Sequence, residues 1–243
     1  MKVPTNSKQV PTLVEEMALL SQGYSFIAGV DEAGRGSLAG PVVAAAVILP
    51  LGDLSTFHLD PDECLECFAG VRDSKQLTAR ERERLFDVVM RHALAVGVGI
   101  GSVEMIDERN ILQATKYAMC DAIGQLSTPP QALLLDAIHL PDIELLQRSI
   151  IKGDALCLSI AAGSIIAKVT RDRIMVQLHE LFPAYGFAQH KGYGTEEHLT
   201  ALREHGASPH HRRSFAPVRE LFGLFHEEEL KSSRIPVKSK KLG

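Results

Sequence analysis

The sequence predicts an α/β fold in which a partly antiparallel sheet is covered by helices on both faces. Three observations lead there. Short apolar runs alternate with stretches of helical spacing, the pattern of a sheet sandwiched between helices. The first two apolar runs, 26–30 and 41–49, follow one another too closely for a crossover helix, so part of the sheet is antiparallel. Hydrophobic residues make up 45% of the 243, enough for one large domain or two small ones with a real core.

The elements follow in order. Phe26-Ile27-Ala28-Gly29-Val30 reads as a strand that ends at Asp31-Glu32, and Pro41 to Leu49, β-branched and apolar, as a second. Residues 51–71 hold several acids, Pro61 and scattered glycines and read as a surface insertion. Thr78-Ala79-Arg80-Glu81 is a capping box, and the helix it opens carries Leu85, Val88, Val89 and His92 at helical spacing. Ala93 to Val103 alternates with glycines and reads as a third strand. One long helix is expected over Asp107 to Leu126, striped by Ile111, Thr115, Ala118, Ala122 and Leu126 and ended by Pro129-Pro130. Ala132 to Asp136 is a buried strand closed by a carboxylate, and Ser149 to Lys152 is another short strand. A second long helix is expected from Leu156 to Phe182, with Gly163 marking close packing. A glycine-rich loop carrying His190, 183–194, precedes a helix capped by Thr195 and ended by Gly206. A last helix covers 217–225. The expected organisation is an N-terminal extension over 1–22, a catalytic domain over 23–225 with a C-terminal helical segment, and a charged, disordered tail over 226–243.

Composition excludes several classes. The net charge of −4 rules out a generally basic nucleic-acid coat, so any nucleic-acid site is a local patch or relies on metal ions. The absence of Trp argues against an extended base-stacking platform. Neither a secretory leader nor a spanning apolar stretch is visible, so a cytoplasmic protein without membrane contact is expected, a monomer by default. Cys64 and Cys67 form a C-x-x-C without a second pair at zinc-ligand spacing. They and the lone Cys120 and Cys157 read as free thiols.

Four carboxylates share one context. Asp31 and Glu32 end the first strand, Asp136 ends the fourth, and Asp154 follows the fifth and opens a helix. Ligand crevices form at such carboxyl ends of open α/β sheets. Clustered acids repel one another unless cations intervene, which fits a two-metal site with ions about 3.5–4 Å apart. Each acid also has an ordinary reading: a solvated turn for Glu32, a strand-end polar residue for Asp136, a helix N-cap for Asp154. Adjacent strand residues face opposite sides, so Asp31 and Glu32 serve one site only if the strand ends at Glu32 or if the longer glutamate arm wraps around.

Other segments point to nucleic acid. Arg35 between Gly34 and Gly36 offers phosphate a planar fork, with backbone free to approach. Lys75, in Asp73-Ser74-Lys75, is within reach of phosphate or is a surface lysine. Lys191 and Tyr193 sit among glycines, where a lysine holds phosphate and an aromatic stacks on a sugar or base. His210-His211-Arg212-Arg213 is either solvated surface or a phosphate-contacting run.

Together the blocks resemble one family, the type 2 ribonucleases H, in its bacterial ribonuclease HII branch. They are AGVDEAGRG (28–36), AGPVVAAAV (39–47), DSKQL (73–77), NILQAT (110–115), KGDA (152–155), SIIAKVTRDR (164–173), FPAYGFAQHKGYGT (182–195) and HHRRSFAPV (210–218), in family order. The resemblance implies an RNase H-like fold, with a central five-stranded mixed sheet, flanking helices and a C-terminal helical segment. It implies Mg²⁺- or Mn²⁺-dependent cleavage of RNA in RNA–DNA hybrids and 5′ of ribonucleotides embedded in duplex DNA, leaving 3′-hydroxyl and 5′-phosphate ends. It makes Asp31, Glu32, Asp136 and Asp154 the metal-binding catalytic acids. Gly34, Arg35 and Gly36 become contacts to the 2′-hydroxyl and phosphate at the RNA–DNA junction, and Tyr193 a stack on the sugar beyond the scissile bond. Ser37 in place of the usual proline, Gly163 in place of alanine, and a longer 51–71 insertion depart from the pattern without touching an acid. Two other readings compete: another two-metal nuclease of this fold, such as a resolvase or transposase type, and a non-catalytic nucleic-acid-binding module. Arg35 separates the chain from the type 3 enzymes, which carry Gly-Lys-Gly, and the presence of all four acids counts against a module that has lost catalysis.

Overall fold

The computed structural model describes residues 10–51 and 59–221. The expected tail, the first nine residues, part of the 51–71 segment and the end of the last helix lie outside them. The described residues divide by their internal contacts into two compact units, one of residues 10–35, 41–51 and 59–174, the other of 36–40 and 175–221.

The first unit is built on five strands: β1 (Ile27–Ala33), β2 (Val42–Ile48), β3 (Ala95–Gly101), β4 (Ala132–Asp136) and β5 (Leu146–Ile150). Their order is β3-β2-β1-β4-β5, a mixed sheet. β1, β2 and β3 form an antiparallel meander, whereas β4 runs parallel to β1 and β5 parallel to β4. The connector 137–145 from β4 to β5 contains no helix. Gln147 pins it, its amide donating to the carbonyls of Leu140 and Ile143 and accepting from the Leu140 amide.

Residues paired across a sheet share a face, and two helices divide the faces between them. Gly29, Val47 and Val96 are in register on one face. There a Cβ on Gly29 would come within 2.2 Å of the Ser159 backbone, at the start of the long helix Leu158–Leu181. Gly97 and Gly99 of β3 face Ile111–Gly124 instead, where an added Cβ would lie 2.0 Å from the carbonyl oxygens of Ala122 and Ala118. Glycine in β3 thus lets a helix lie directly on strand backbone. Because both faces are covered, β2 is buried along its whole length.

Among the described residues, seven helices complete this unit: α1 (Val14–Leu20), α2 (Pro61–Cys67), α3 (Ala79–His92), α4 (Val103–Arg109), α5 (Ile111–Gly124), α6 (Gly153–Leu156) and α7 (Leu158–Leu181), whose last turns pass into the second unit. Thr78 and Glu81 cap α3 reciprocally, as the sequence predicts, and Leu85 and Val89 bury its inner face.

Several expectations need correction. The helix expected over 107–126 is broken at Asn110, whose φ of 72° ends α4 while its side chain accepts from the amides of Leu112 and Gln113 to start α5. The helix expected from about Leu156 to Phe182 forms over Leu158–Leu181, with extended backbone at Cys157 separating it from the short helix α6. β1 does not end at Glu32; its pairing with β2 continues to Ala33. β5 begins at Leu146 and ends at Ile150, so Ile151 and Lys152 form a turn, with Lys152 left-handed at φ 60°.

The described part of the 51–71 segment is more than surface. Asp60 and Glu63 form a capping box at the start of α2. Cys64, Phe68 and Val71 then join the core beneath α7, with Val47, Leu85 and Ile165. Burial pushes the Cys64 thiol up to about 12, so it behaves as a small apolar side chain.

In the second unit α8 (Phe187–His190) and α9 (Glu196–His205) follow the 3₁₀ turn Pro183–Tyr185, and a last helix begins at 216. Its apolar centre is Leu38, Leu202 and Val218. Residues 36–40 are tied to two distant loops. The amide of Leu38 donates to Gly192 (2.8 Å), that of Gly40 donates to His210 (2.9 Å), and that of Arg212 donates to Leu38 (2.8 Å). His211 and Arg212, read from sequence as surface or a phosphate patch, are fully buried. Arg212 donates through Nε to the Gly40 carbonyl (2.9 Å) and lies over the Phe215 ring.

Candidate active site

Asp31, Asp136 and Asp154 come together at the carboxyl ends of β1 and β4. Each offers a carboxylate oxygen within 4.8 Å of the others. Parallel pairing of β1 with β4 brings the first two to the same edge, and the β5–α6 turn delivers the third. That turn is anchored at the site itself, since the Gly153 amide donates to Asp136 Oδ1 (2.8 Å). Asp31 is locked by the amide of Glu32 (2.7 Å).

Glu32 stands apart from this triad. It pairs with Ala44 rather than Ala45 and so starts on the opposite face of β1. Its Oε1 accepts from Arg35 (3.1 Å), while its Oε2 is buried without a hydrogen-bond partner. The carboxylate still feels the charge of Asp136.

Lys75 enters from the 3₁₀ turn Ser74–Gln76, with Nζ 2.9 Å from Asp154 Oδ2. The turn is held from behind. Arg82 donates to the carbonyls of Ser74 and Leu77, and the Ser164 hydroxyl donates to that of Ser74. Arg82 is in turn set by Asp172, which also binds Lys168. This support joins three separate segments and is invisible to any local reading.

Gly34 requires glycine twice over. Its φ is +94°, and a Cβ would overlap the buried side chain of Arg171. Arg171 in turn donates to the Pro41 carbonyl (2.9 Å). Sequence reasoning missed Arg171, because it stands in the charged stretch Lys168–Arg173 of α7 and nothing local marks it as buried. Gly163, a departure from the family pattern inside α7, gives close packing as expected, with its missing Cβ position 3.1 Å from the Ala45 carbonyl and 3.4 Å from the Asp31 amide.

Gly36, Lys191 and Tyr193 belong to the second unit. A Cβ at Gly36 would meet nothing within 4 Å, so its backbone borders open space. Lys191 is left-handed at φ 53° and turns its ammonium back onto the Ala188 carbonyl. Tyr193 is 37% exposed.

The acids are not at ease without a cation. Burial first, then the charges of Glu32, Asp136 and Asp154, raises Asp31 well above the usual carboxylate range. Burial likewise raises Glu32 against the opposing effect of Arg35, and raises Asp136 against the bond from Gly153. For Lys75, burial acts to lower the pKa, but the hydrogen bond and charge of Asp154 outweigh it and raise it. Three mutually close carboxylates, with an unpartnered Glu32 oxygen buried nearby, make a hard-oxygen donor set that suits Mg²⁺ or Mn²⁺.

A test follows from these directions. A carboxyl group with a raised folded pKa binds its proton more tightly folded than unfolded. Its contribution to stability therefore falls as pH rises from the ordinary carboxylate value through the raised one. Divalent cations bind the ionised form and relieve the penalty. The increase in Tm on adding Mg²⁺ or Mn²⁺ is therefore expected to be larger at about pH 7.5 than at about pH 5, where proton and metal compete. Differential scanning calorimetry at both pH values checks it; an equal increment would place the cation elsewhere.

Comparisons with known proteins agree with this geometry. The family model described as Ribonuclease HII matches residues 28–218. A ribonuclease HII of Bacillus cereus (strain Q1) is 53% identical over 206 residues, covering 85% of this chain and 75% of the relative. Among solved structures, the ribonuclease H2 of Pyrococcus horikoshii OT3 aligns with a TM-score of 0.66 at 27% identity, over 83% of this chain and 99% of that one. The RNase HII of Archaeoglobus fulgidus, solved in complex with PCNA, aligns with a TM-score of 0.61 at 28% identity, over 79% and 96%.

Proposed function

The chain belongs to the ribonuclease HII family and is a metal-dependent ribonuclease H acting on RNA–DNA hybrids; from that premise we propose that it also cuts 5′ of single ribonucleotides embedded in duplex DNA, using a two-cation site held by Asp31, Glu32, Asp136 and Asp154. The observation that carries the proposal is the convergence of Asp31, Asp136 and Asp154 from two parallel strand ends and a helix start. In this reading Glu32 joins them through its unpartnered Oε2. Asp31, Glu32, Asp136 and Asp154 would hold the divalent cations, which would supply Lewis acidity to the phosphodiester bound there.

The chain's own groups do the rest. Asp136 is fixed by the Gly153 amide on Oδ1 and would help hold the cation. Lys75, held against Asp154, is placed to meet a non-bridging phosphate oxygen when substrate arrives. Arg35, braced by Glu32, offers its guanidinium to the junction phosphate. Backbone groups around Gly34 and Gly36 approach the 2′-hydroxyl, which alone distinguishes RNA from DNA at one phosphodiester. Tyr193 tests the next sugar by stacking.

Product ends test the reading. Cleavage of a labelled hybrid is expected to leave 3′-hydroxyls that a DNA polymerase extends without phosphatase treatment, and 5′-phosphates that a ligase accepts. Cyclic or 3′-phosphate ends would mean that the 2′-hydroxyl attacks, and water activation at the acid site would be wrong.

A further inference from the structure

Three imidazoles surround the Tyr193 loop in the second unit, and two of them form a continuous hydrogen-bond chain. At one end the Ser208 amide lies 2.9 Å from His211 Nδ1. A backbone N–H only donates, so His211 Nδ1 is the acceptor and its proton sits on Nε2. At the other end His198 Nδ1 lies 2.9 Å from the Tyr193 carbonyl. A carbonyl only accepts, so His198 carries its proton on Nδ1 and its Nε2 is a free lone pair. The two rings meet Nε2 to Nε2 at 3.0 Å. The two end assignments, made independently, supply one proton for that contact. His211 donates and His198 accepts.

We propose that His211 and His198 form a neutral two-imidazole relay that sets the backbone of the Tyr193 loop, making them positioning residues for selection of an embedded ribonucleotide. The Tyr193 carbonyl also accepts from the Thr195 amide (2.8 Å), and the Tyr193 amide donates to the His190 carbonyl (3.0 Å). His190 closes the loop on its other side. Its Nδ1 accepts from Gly192, its Nε2 donates to the Tyr185 carbonyl, and its ring stacks on His198 with centroids 4.4 Å apart. The peptide that carries the tyrosine ring is thus tied on both flanks, while the ring itself stays partly exposed. Burial keeps both relay rings uncharged at neutral pH, lowering His198 to about 4 and His211 to about 3. Charging His198 would place a second proton in the Nε2 contact and open it, and charging His211 would set a proton on Nδ1 against the Ser208 amide.

The inference rests on the proposed sugar-reading role of Tyr193, and two substitutions separate the two ideas. In His198→Asn the side-chain amide reproduces the Nδ1 position and keeps the bond to Tyr193 while losing His211. In His198→Gln it reproduces the Nε2 position, keeping His211 and losing Tyr193. The readout is the ratio of kcat/KM on a duplex with one embedded ribonucleotide to kcat/KM on a long RNA–DNA hybrid. His198→Gln is expected to lower that ratio roughly 3- to 10-fold, the effect of losing one hydrogen bond, and His198→Asn to keep it within about twofold. Equal ratios in the two variants would overturn the positioning role. A ratio unchanged in Tyr193→Ala would instead sink the sugar-reading role. Tautomers in the unaltered protein judge the relay without any substitution. Long-range ¹H–¹⁵N spectra at neutral pH are expected to show His198 protonated on Nδ1 and His211 on Nε2, and the opposite assignment at either ring refutes it.

Discussion

Asp136→Asn is expected to abolish cleavage while the protein stays folded. The asparagine Oδ1 still accepts from the Gly153 amide, so the β5–α6 turn keeps its anchor. What is lost is the charge presented to the cation. Asp31 and Asp154 lose a like-charged neighbour, so the metal-free variant is expected to melt at or above the wild-type temperature. The increment in Tm produced by Mg²⁺ should shrink in parallel. Turnover above about a tenth of wild type, a loss of less than about 1.4 kcal/mol in the barrier, would remove Asp136 from the proposed ligand set. Circular dichroism on the same sample separates a chemical loss from an unfolded one.

Tyr193→Ala is expected to act on selection rather than on chemistry. A cation site alone cannot tell the two backbones apart, because both present the same phosphodiester. A ring stacked closely on the neighbouring sugar favours one without a 2′-hydroxyl, as at the junction between an embedded ribonucleotide and DNA. Loss of a stack worth about 1–3 kcal/mol lowers kcat/KM on that junction roughly 5- to 150-fold. On a long hybrid, where every sugar on the cut strand carries the hydroxyl, the loss should be far smaller. Equal losses on both substrates would make Tyr193 a support of its loop and nothing more.

What the sequence revealed and what it hid divide along a physical line. Thr78 and Glu81, Thr195 and Gly206 mark their helices correctly because a cap is decided within one turn of chain. Asp31, Asp136 and Asp154 are visible as candidates because each follows an apolar strand run in the sequence, and parallel pairing of β1 with β4 does the rest. Asn110 was missed as a helix break because asparagine is tolerated inside helices, and only its φ of 72° reveals the reversal. The extension of β1 through Ala33 depends on the facing β2 residues Val43 and Ala44, so an Asp-Glu pair that reads as a turn is strand instead. Burial of His211 and Arg212 was hidden for the same reason. Four consecutive basic residues look solvated until Ser208, His198 and Gly40 are brought to meet them. The contact of Lys75 with Asp154 needs Arg82 and Ser164 behind its turn, and no spacing within Asp73-Ser74-Lys75 encodes that.

The central claim is that a cation site built on Asp31, Asp136 and Asp154 cuts at an embedded ribonucleotide. Its most direct test is a duplex DNA carrying one ribonucleotide, incubated with the protein in Mg²⁺ or Mn²⁺, with the same sample in excess EDTA and an all-DNA duplex as controls. The account predicts a single incision on the 5′ side of the ribonucleotide, none in EDTA and none in the all-DNA duplex. Incision that survives EDTA, or cutting of the all-DNA duplex at the same rate, would contradict it.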